Sequence, residues 1–115
     1  MMSRRTRIYV AGPYTRPDPA ANTNRAIEVG NRLWDAGYAP FIPHLTHLWH
    51  LVTPKPYEEW LELDIEWLRA CDALLRFPGE SSGADKEIVF ARQNNIPVYF
   101  TEAKLFAAEL ARRDA

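Results

Sequence analysis

Two carboxylates stand where helices should be apolar, and the first is Asp64. If residues 56–71 form a helix that turns roughly 100° per residue, one face is an apolar stripe and the opposite face collects charge. The stripe contains Trp60, Leu61, Trp67, Leu68 and Cys71, and the charged face contains Glu58, Glu59, Glu62, Glu66 and Arg69. Asp64 falls inside the stripe. Because burying an ionised carboxylate without partners costs several kcal/mol, this exception indicates a chemical use.

The second misplaced acid is Glu87, about one turn into a helix predicted over residues 84–94. Ser82 and Asp85 match a capping-box pattern with Ser82 as the N-cap, which places the start of this helix. Glu87 shares its side of the helix with two alanines, so a ligand has room to reach the carboxylate. An ionised acid beside a crevice can act as a nucleophile or a base. The alternative is a solvated surface acid that pairs with a neighbouring cation.

Three histidines offer a different chemistry. His44, His47 and His50 recur every third residue, and a short helix there would bring neighbouring pairs onto adjacent positions. Imidazoles at this spacing can bind zinc or another transition metal, with Asp64 as a further ligand. No familiar metal motif is matched. The alternatives are histidines satisfied by the fold or stacked against a ligand.

The composition bounds the function classes. The chain has 115 residues, 47% of them hydrophobic, which predicts a single domain with a real core. Its 14 Lys and Arg against 15 Asp and Glu argue against nucleic-acid and membrane-surface roles, which rely on a basic excess. We find no signal peptide or membrane span and expect a cytoplasmic protein. Cys71 is the only cysteine, so no internal disulfide can form.

Strand and helix patterns alternate along the chain. Strands are predicted at residues 8–11, 38–42, 72–77 and 97–100, and helices at 20–36, 56–71, 84–94 and 102–113. Such alternation predicts an α/β fold, a three-layer doubly wound parallel sheet of the flavodoxin or Rossmann kind. Pro40 places the second strand near a sheet edge. The segment 43–55 is irregular and rich in proline and histidine.

Ligands of such folds bind beyond the carboxyl ends of the strands, where the strand order reverses. If the first and third strands are neighbours there, the loops 12–16 and 77–83 face each other across one crevice. Both loops are rich in Gly, Pro and hydroxyl residues, which let backbone N–H groups approach a ligand closely. Each loop taken alone is equally typical of a tight turn.

Three segments together resemble the nucleoside 2-deoxyribosyltransferase superfamily. They are Ile8-Tyr9-Val10-Ala11-Gly12-Pro13, then Asp64 with Leu68 and Asp72, then Ser81-Ser82-Gly83-Ala84-Asp85-Lys86-Glu87. The closest match is to short bacterial members labelled as a domain of unknown function (DUF4406-like). The resemblance covers about residues 7–100.

This resemblance implies cleavage of the N-glycosidic bond of a nucleoside or nucleotide, by hydrolysis or by deoxyribosyl transfer, with no cofactor. Glu87 would attack the anomeric carbon, Tyr9 would orient that carboxylate, and Asp64 would contact the sugar or the departing base. A second acid can protonate the leaving base. Gly12 and Gly83 would give the ligand access to the backbone.

The chain departs from the family pattern at two places. Ser81 stands where the transferases carry an acid, six residues before the nucleophile, as in members that hydrolyse nucleoside monophosphates. Its hydroxyl could therefore contact a phosphate. Pro13 occupies a place where those hydrolases use a hydroxyl residue, and Thr15 and Arg16 could compensate. In the family the middle region lies over the pocket, so the resemblance places His44 or His47 near the nucleobase.

Two further functions stay open from the sequence. A nucleotide-derived ligand sensor without turnover is favoured by the missing acid at Ser81, and a metal-dependent hydrolase would use His44, His47 and His50. The expected partner is a small nucleoside or nucleotide. The four tryptophans and the resemblance both indicate a homodimer or larger homo-oligomer.

Overall fold

A four-stranded parallel sheet forms the centre of the computed structural model, which describes residues 4–114 and side chains up to Arg112. The strands are β1 (Arg7–Ala11), β2 (Ala39–Phe41), β3 (Ala73–Arg76) and β4 (Val98–Tyr99). Their order is β2-β1-β3-β4, so the predicted parallel α/β sheet is confirmed, and β2 lies at an edge as Pro40 indicated. The order reverses between β1 and β3.

Five helices connect and cover the strands. They are α1 (Pro19–Asp35), α2 (His47–Val52), α3 (Tyr57–Leu68), α4 (Ser82–Gln93) and α5 (Glu102–Asp114), and a 3₁₀ turn (Pro43–Thr46) precedes α2. Asp18 caps α1 by accepting from the Ala20 amide, and Pro19 supplies the fixed φ of the first helical position. Gly37, at φ +99°, lets the chain turn away after α1.

The helices form two layers, one on each side of the sheet. Ile8 and Val10 of β1 pack with Ala26 and Leu33 of α1 and with Leu105 of α5. The alternate residues of the strands face the other layer, in a cluster made of Tyr9, Ala11, Leu68, Leu74, Ala84, Ile88 and Ala91. This second layer brings α3 and α4 together over β1 and β3. The two acids singled out by the sequence lie on these two helices.

Some predicted helix details are wrong. The sequence pattern puts Trp67 on the buried stripe of α3, but this side chain is 51% exposed and stacks on Phe41 at 5.4 Å between ring centroids. Its neighbour Leu68 is fully buried, so the buried stripe is narrower than the sequence pattern. The N-cap of α4 is Ser81, not Ser82, because the Ser81 hydroxyl accepts from the Ala84 amide at 3.0 Å. The irregular segment contains α2 and the 3₁₀ turn.

None of the helices within residues 4–114 is both long and apolar enough to span a bilayer.

Candidate active site

A cavity of about 680 Å³ opens at the carboxyl ends of β1 and β3, where the strand order reverses. The loop after β1 contributes Gly12, Tyr14, Thr15 and Arg16, and the chain after β3 contributes Glu80, Ser81, Ser82, Gly83 and Ala84. The two loops therefore face each other across one crevice. Asp64 from α3 and Glu87 from α4 line the same cavity. Residues separated widely in the sequence thus share one hollow.

Glu87 is held by a buried tyrosine. The hydroxyl of Tyr9, which is fully buried in β1, donates a hydrogen bond to Oε2 of Glu87, whose side chain is 5% exposed. Burial raises the pKa of Glu87 to about 7, although the Tyr9 hydrogen bond and the positive charge of Arg76 both favour the ionised form. Burial and the negative charge of Glu87 raise the pKa of Tyr9, so its hydroxyl keeps its proton for donation.

Asp64 lies one turn before Leu68 on α3, on the side that meets α4. Burial, together with the charge of Glu87, raises the pKa of Asp64 to about 8. Its Oδ1 atom is buried and has no hydrogen-bond partner within the described part of the chain. The cavity therefore presents two acids with different partners. One is oriented by a hydroxyl, and the other has a carboxyl oxygen that a ligand could satisfy.

Packing restricts Gly12, in the loop after β1, and to a smaller extent Gly83, in the first turn of α4. A Cβ at Gly12 would stand 2.2 Å from the Phe77 ring, and a Cβ at Gly83 would stand 3.0 Å from the Tyr57 hydroxyl. Close packing therefore explains glycine at these two positions without a ligand, in addition to the predicted access of a ligand to the backbone. Pro13 does not line the cavity. Its ring packs against Gly79, and its carbonyl accepts from Nε2 of His44 at 2.8 Å.

The three histidines do not form a cluster. His44 binds the Pro13 carbonyl, His47 bonds through Nδ1 to the Tyr14 hydroxyl at 2.6 Å, and His50 accepts through Nδ1 from the Trp60 indole at 2.7 Å. No group of three or more His, Cys, Asp or Glu side chains that could hold a metal ion occurs among residues 4–112. The metal interpretation thus lacks a ligand set there.

Two of these histidines line the cavity. His44 is 4% exposed, and burial lowers its pKa, so the ring is neutral with its Nδ1 left as a buried acceptor. His50 is the other, whereas His47 stands behind Tyr14 and does not line the cavity. The contact between His47 and a ligand stays a prediction, and in the structure His47 is linked to the cavity wall through the Tyr14 hydroxyl.

Sequence reasoning missed several residues of the cavity wall. They are His50 as a wall residue, Lys55, Tyr57, Trp60 and Leu61, whereas Tyr14 lies in the loop 12–16 that the sequence predicts at the crevice. Trp60 and Leu61 carried a signal, because they stand four and three residues before Asp64 on the predicted stripe, whereas His50, Lys55 and Tyr57 are brought to the cavity by tertiary contacts. A further residue, Arg76, carried a usable signal: it is a cation inside a strand whose four residues are all buried. The rule that identified Asp64 and Glu87 would have identified it.

Comparison with known proteins gives a family and a fold. A family model described as "Domain of unknown function (DUF7768)" matches residues 6–101, a different domain label from the one expected. No curated protein matches the chain. A solved structure of a 2-deoxyribosyltransferase from Leishmania mexicana aligns with TM-score 0.59 and 21% identity, over 81% of this chain and 61% of that chain.

A second solved structure, a 2-deoxyribosyltransferase from Bacillus psychrosaccharolyticus, aligns with TM-score 0.58 and 21% identity, over 81% of this chain and 69% of that chain. The chain thus spans about three fifths of the length of the first of these neighbours. At this identity the likeness shows a shared fold, and the chemistry has to be argued from the cavity itself.

Proposed function

We propose that this chain, which belongs to the family described as "Domain of unknown function (DUF7768)", cleaves the N-glycosidic bond of a nucleoside or nucleotide. The observation that carries the proposal is the juxtaposition of Glu87, bound by Tyr9, with Asp64 in one cavity at the strand-order reversal. The fold is shared with two 2-deoxyribosyltransferases, the second of which is described as a biocatalyst for the synthesis of nucleosides.

The proposed reaction uses the two acids in opposite protonation states. The ionised Glu87 attacks the anomeric carbon of the sugar, a C–O ester bond forms, and the C–N bond to the base breaks. Asp64, protonated below about pH 8, gives its proton to the departing base nitrogen. The Tyr9 hydroxyl orients the attacking carboxylate. Water, or a ring N–H of a second base, then attacks the anomeric carbon while the C–O bond to Glu87 breaks. The proton of the attacking group returns to the Asp64 carboxylate, and the product is the free sugar with water or a new nucleoside with the second base.

The remaining predicted site residues are assigned to binding. Thr15, Arg16, Ser81 and Gly83 line the cavity and offer hydroxyl, guanidinium and backbone N–H groups to the sugar hydroxyls or to a 5′-phosphate. The Ser81 hydroxyl caps α4 by accepting, and its proton stays available for a ligand. Gly12 lines the cavity wall beside Phe77. His44 faces the ligand, and Pro13 holds the His44 ring through its carbonyl.

A ligand sensor without turnover is the second candidate function. It is favoured by Ser81, because the acid that the resemblance expects at this place is absent and the hydroxyl caps a helix instead. Tight nucleotide binding without release of free base separates a sensor from an enzyme.

We also propose a homodimer or larger homo-oligomer in which α2 contributes to the interface. Leu48, Leu51 and Val52 of this helix are 71%, 62% and 83% exposed. A monomer at micromolar concentration in light scattering contradicts this proposal.

The enzymatic proposal is tested with a panel of nucleosides and nucleoside monophosphates, with and without an acceptor base, by chromatography of released base. The wild type should release base from at least one substrate, and Glu87→Gln should abolish the release. Glu62→Gln, which changes an exposed acid on α3, is the matched control and should keep full activity. Intact-mass spectrometry of quenched wild-type turnover should show one added sugar. No release from any substrate, or full activity of Glu87→Gln, contradicts the proposal.

A further inference from the structure

Arg76 is a buried cation that the proposed reaction does not yet use. It ends β3, all four residues of which are buried, and it is itself 8% exposed. A buried guanidinium without partners costs several kcal/mol, so its contacts indicate why the sequence keeps it.

The guanidinium turns back onto the chain that follows it. It donates to the carbonyl of Phe77 and to the carbonyl of Gly79, the latter at 2.6 Å. Its third partner, at 3.8 Å, is a carboxylate oxygen of Asp85, which is 72% exposed on the first turn of α4. These contacts fasten the β3–α4 loop, the same loop that delivers Ser81 and Gly83 to the cavity.

The side chain also lies on the same face of the sheet as Glu87. Leu74 faces the layer made by α3 and α4, and in a strand the residue two positions later faces the same side. Arg76 is in register with Ala11 of β1, and Leu74 is in register with Tyr9, which binds Glu87. Arg76 therefore lies two residues nearer the carboxyl ends of the strands than the level of Tyr9.

We propose that Arg76 is a positioning residue for Glu87: it braces the β3–α4 loop through two carbonyls and holds a positive charge that keeps the neighbouring carboxylate ionised for attack. The inference rests on the proposed function for its catalytic meaning, because Arg76 acts through Glu87 and is not assigned a contact with the ligand. Asp85 offsets part of that charge at the protein surface.

Four groups from the packed elements face Glu87. Tyr9 comes from β1, Asp64 and Tyr57 come from α3, and Arg76 comes from β3. Among these four, Arg76 is the only cation. Its loss leaves burial and the one acidic neighbour, Asp64, to disfavour the charged carboxylate, with only the Tyr9 hydrogen bond favouring it, so the protonated form of Glu87 should dominate to higher pH.

The test is a carbon-13 NMR titration of the Glu side-chain carboxyls in the full chain, with the Glu87 signal assigned by its loss in Glu87→Gln. Arg76→Gln keeps donors for the loop carbonyls and removes the charge, whereas Arg76→Lys keeps the charge and removes the forked donor. We expect the Glu87 midpoint to move to higher pH in Arg76→Gln and to stay near the wild-type value in Arg76→Lys. Each unit of upward shift lowers the ionised fraction at acidic pH about tenfold.

A folded Arg76→Gln protein with an unmoved Glu87 midpoint overturns the inference, because a purely structural brace leaves the titration unchanged. If Arg76→Gln does not fold, the exposed variant Asp85→Asn replaces it. Removing this negative partner should move the Glu87 midpoint to lower pH, and an unmoved midpoint there overturns the inference as well. The titration needs no turnover. An upward shift in Arg76→Gln without base release by the wild type refutes the proposed function alone.

Discussion

At the scale of single residues, the proposed function rests on charges that the local pattern does not explain. Asp64 interrupts an apolar helix stripe, Glu87 stands beside two alanines, and Arg76 ends a buried strand. Because burying charge is costly, an acid or a cation in an apolar pattern is a signal that the amino-acid sequence itself carries. Tyr9 carries no such signal, because an aromatic residue in a buried strand is ordinary. Its assignment came from the family resemblance, and the structure adds its bond to Glu87.

The pH dependence of turnover follows from the two acids. Glu87 must be ionised and has a pKa of about 7, and Asp64 must be protonated and has a pKa of about 8. We expect a bell-shaped profile of kcat/KM with its maximum between about pH 7 and 8 and a decline of roughly tenfold per unit on each side. Asp64→Asn should lose the alkaline limb together with much of the rate. The measurement is kcat/KM between about pH 5 and pH 10. A value of kcat/KM that does not change with pH would refute this assignment.

At the scale of elements, the sequence predicts which segments form helices and strands better than it predicts their rotation and ends. Every predicted strand and helix is present, yet Trp67 and Trp34 are about half exposed. Trp34 lies under the guanidinium of Arg5 at 3.7 Å, a contact across the chain that helical spacing does not encode. The six residues of α2 are too few for a helix stable by itself, so its formation depends on tertiary contacts that the local sequence cannot reveal.

The start of α4 offers a direct comparison of two adjacent serines. Ser81→Ala removes the acceptor for the Ala84 amide and should lower the free energy of unfolding by about 1 kcal/mol. Ser82→Ala, at the first helical position, is the matched control. It should change the free energy of unfolding by less than about 0.5 kcal/mol, which is typical of surface substitutions. Urea unfolding followed by circular dichroism measures both. Equal losses in the two variants would contradict the assignment of Ser81 as the N-cap.

At the scale of the whole molecule, the crossover order turns distant residues into neighbours. Alternation predicts a parallel sheet, and the position of the reversal between β1 and β3 entered the sequence interpretation as a condition that the structure meets, so the two loops do face each other across one crevice. The wall formed by Tyr57, Trp60 and His50 could not be anticipated in this way. It depends on how α2 and the start of α3 pack against the rest of the chain, because prolines interrupt the local pattern over residues 43–56 and helical spacing marks only Trp60 among the three.

The burial of the two acids also links stability to pH. Both have folded-state pKa values above their ordinary ones, so the stability they contribute is present at low pH and is lost as pH rises through about 7 for Glu87 and about 8 for Asp64. For Glu87 this loss amounts to about 3 kcal/mol. His44 acts in the opposite direction: because its folded-state pKa is lowered, the stability that it contributes is lost as the pH falls.

The double variant Glu87→Gln with Asp64→Asn isolates this linkage. Relative to the wild type it should gain stability as the pH rises from about 5 to about 8 and then level off, as measured by urea unfolding at fixed ionic strength. The free energy of unfolding of the single variant Glu62→Gln should change with pH in the same way as that of the wild type. A constant difference between the double variant and the wild type across this range would show that the acids are not held in a raised-pKa state.

Pro40 has a consequence for how the protein behaves when many copies are packed together. In β2 the amide of Ala39 bonds toward β1, so alternate positions, including Pro40, face the outer side of the sheet. A proline has no N–H to offer there. A strand from a neighbouring molecule would lack one hydrogen-bond donor at Pro40, which disfavours extension of the sheet from this edge. Pro40, which placed β2 at the sheet edge in the sequence, should thus also disfavour fibril-like stacking at high protein concentration.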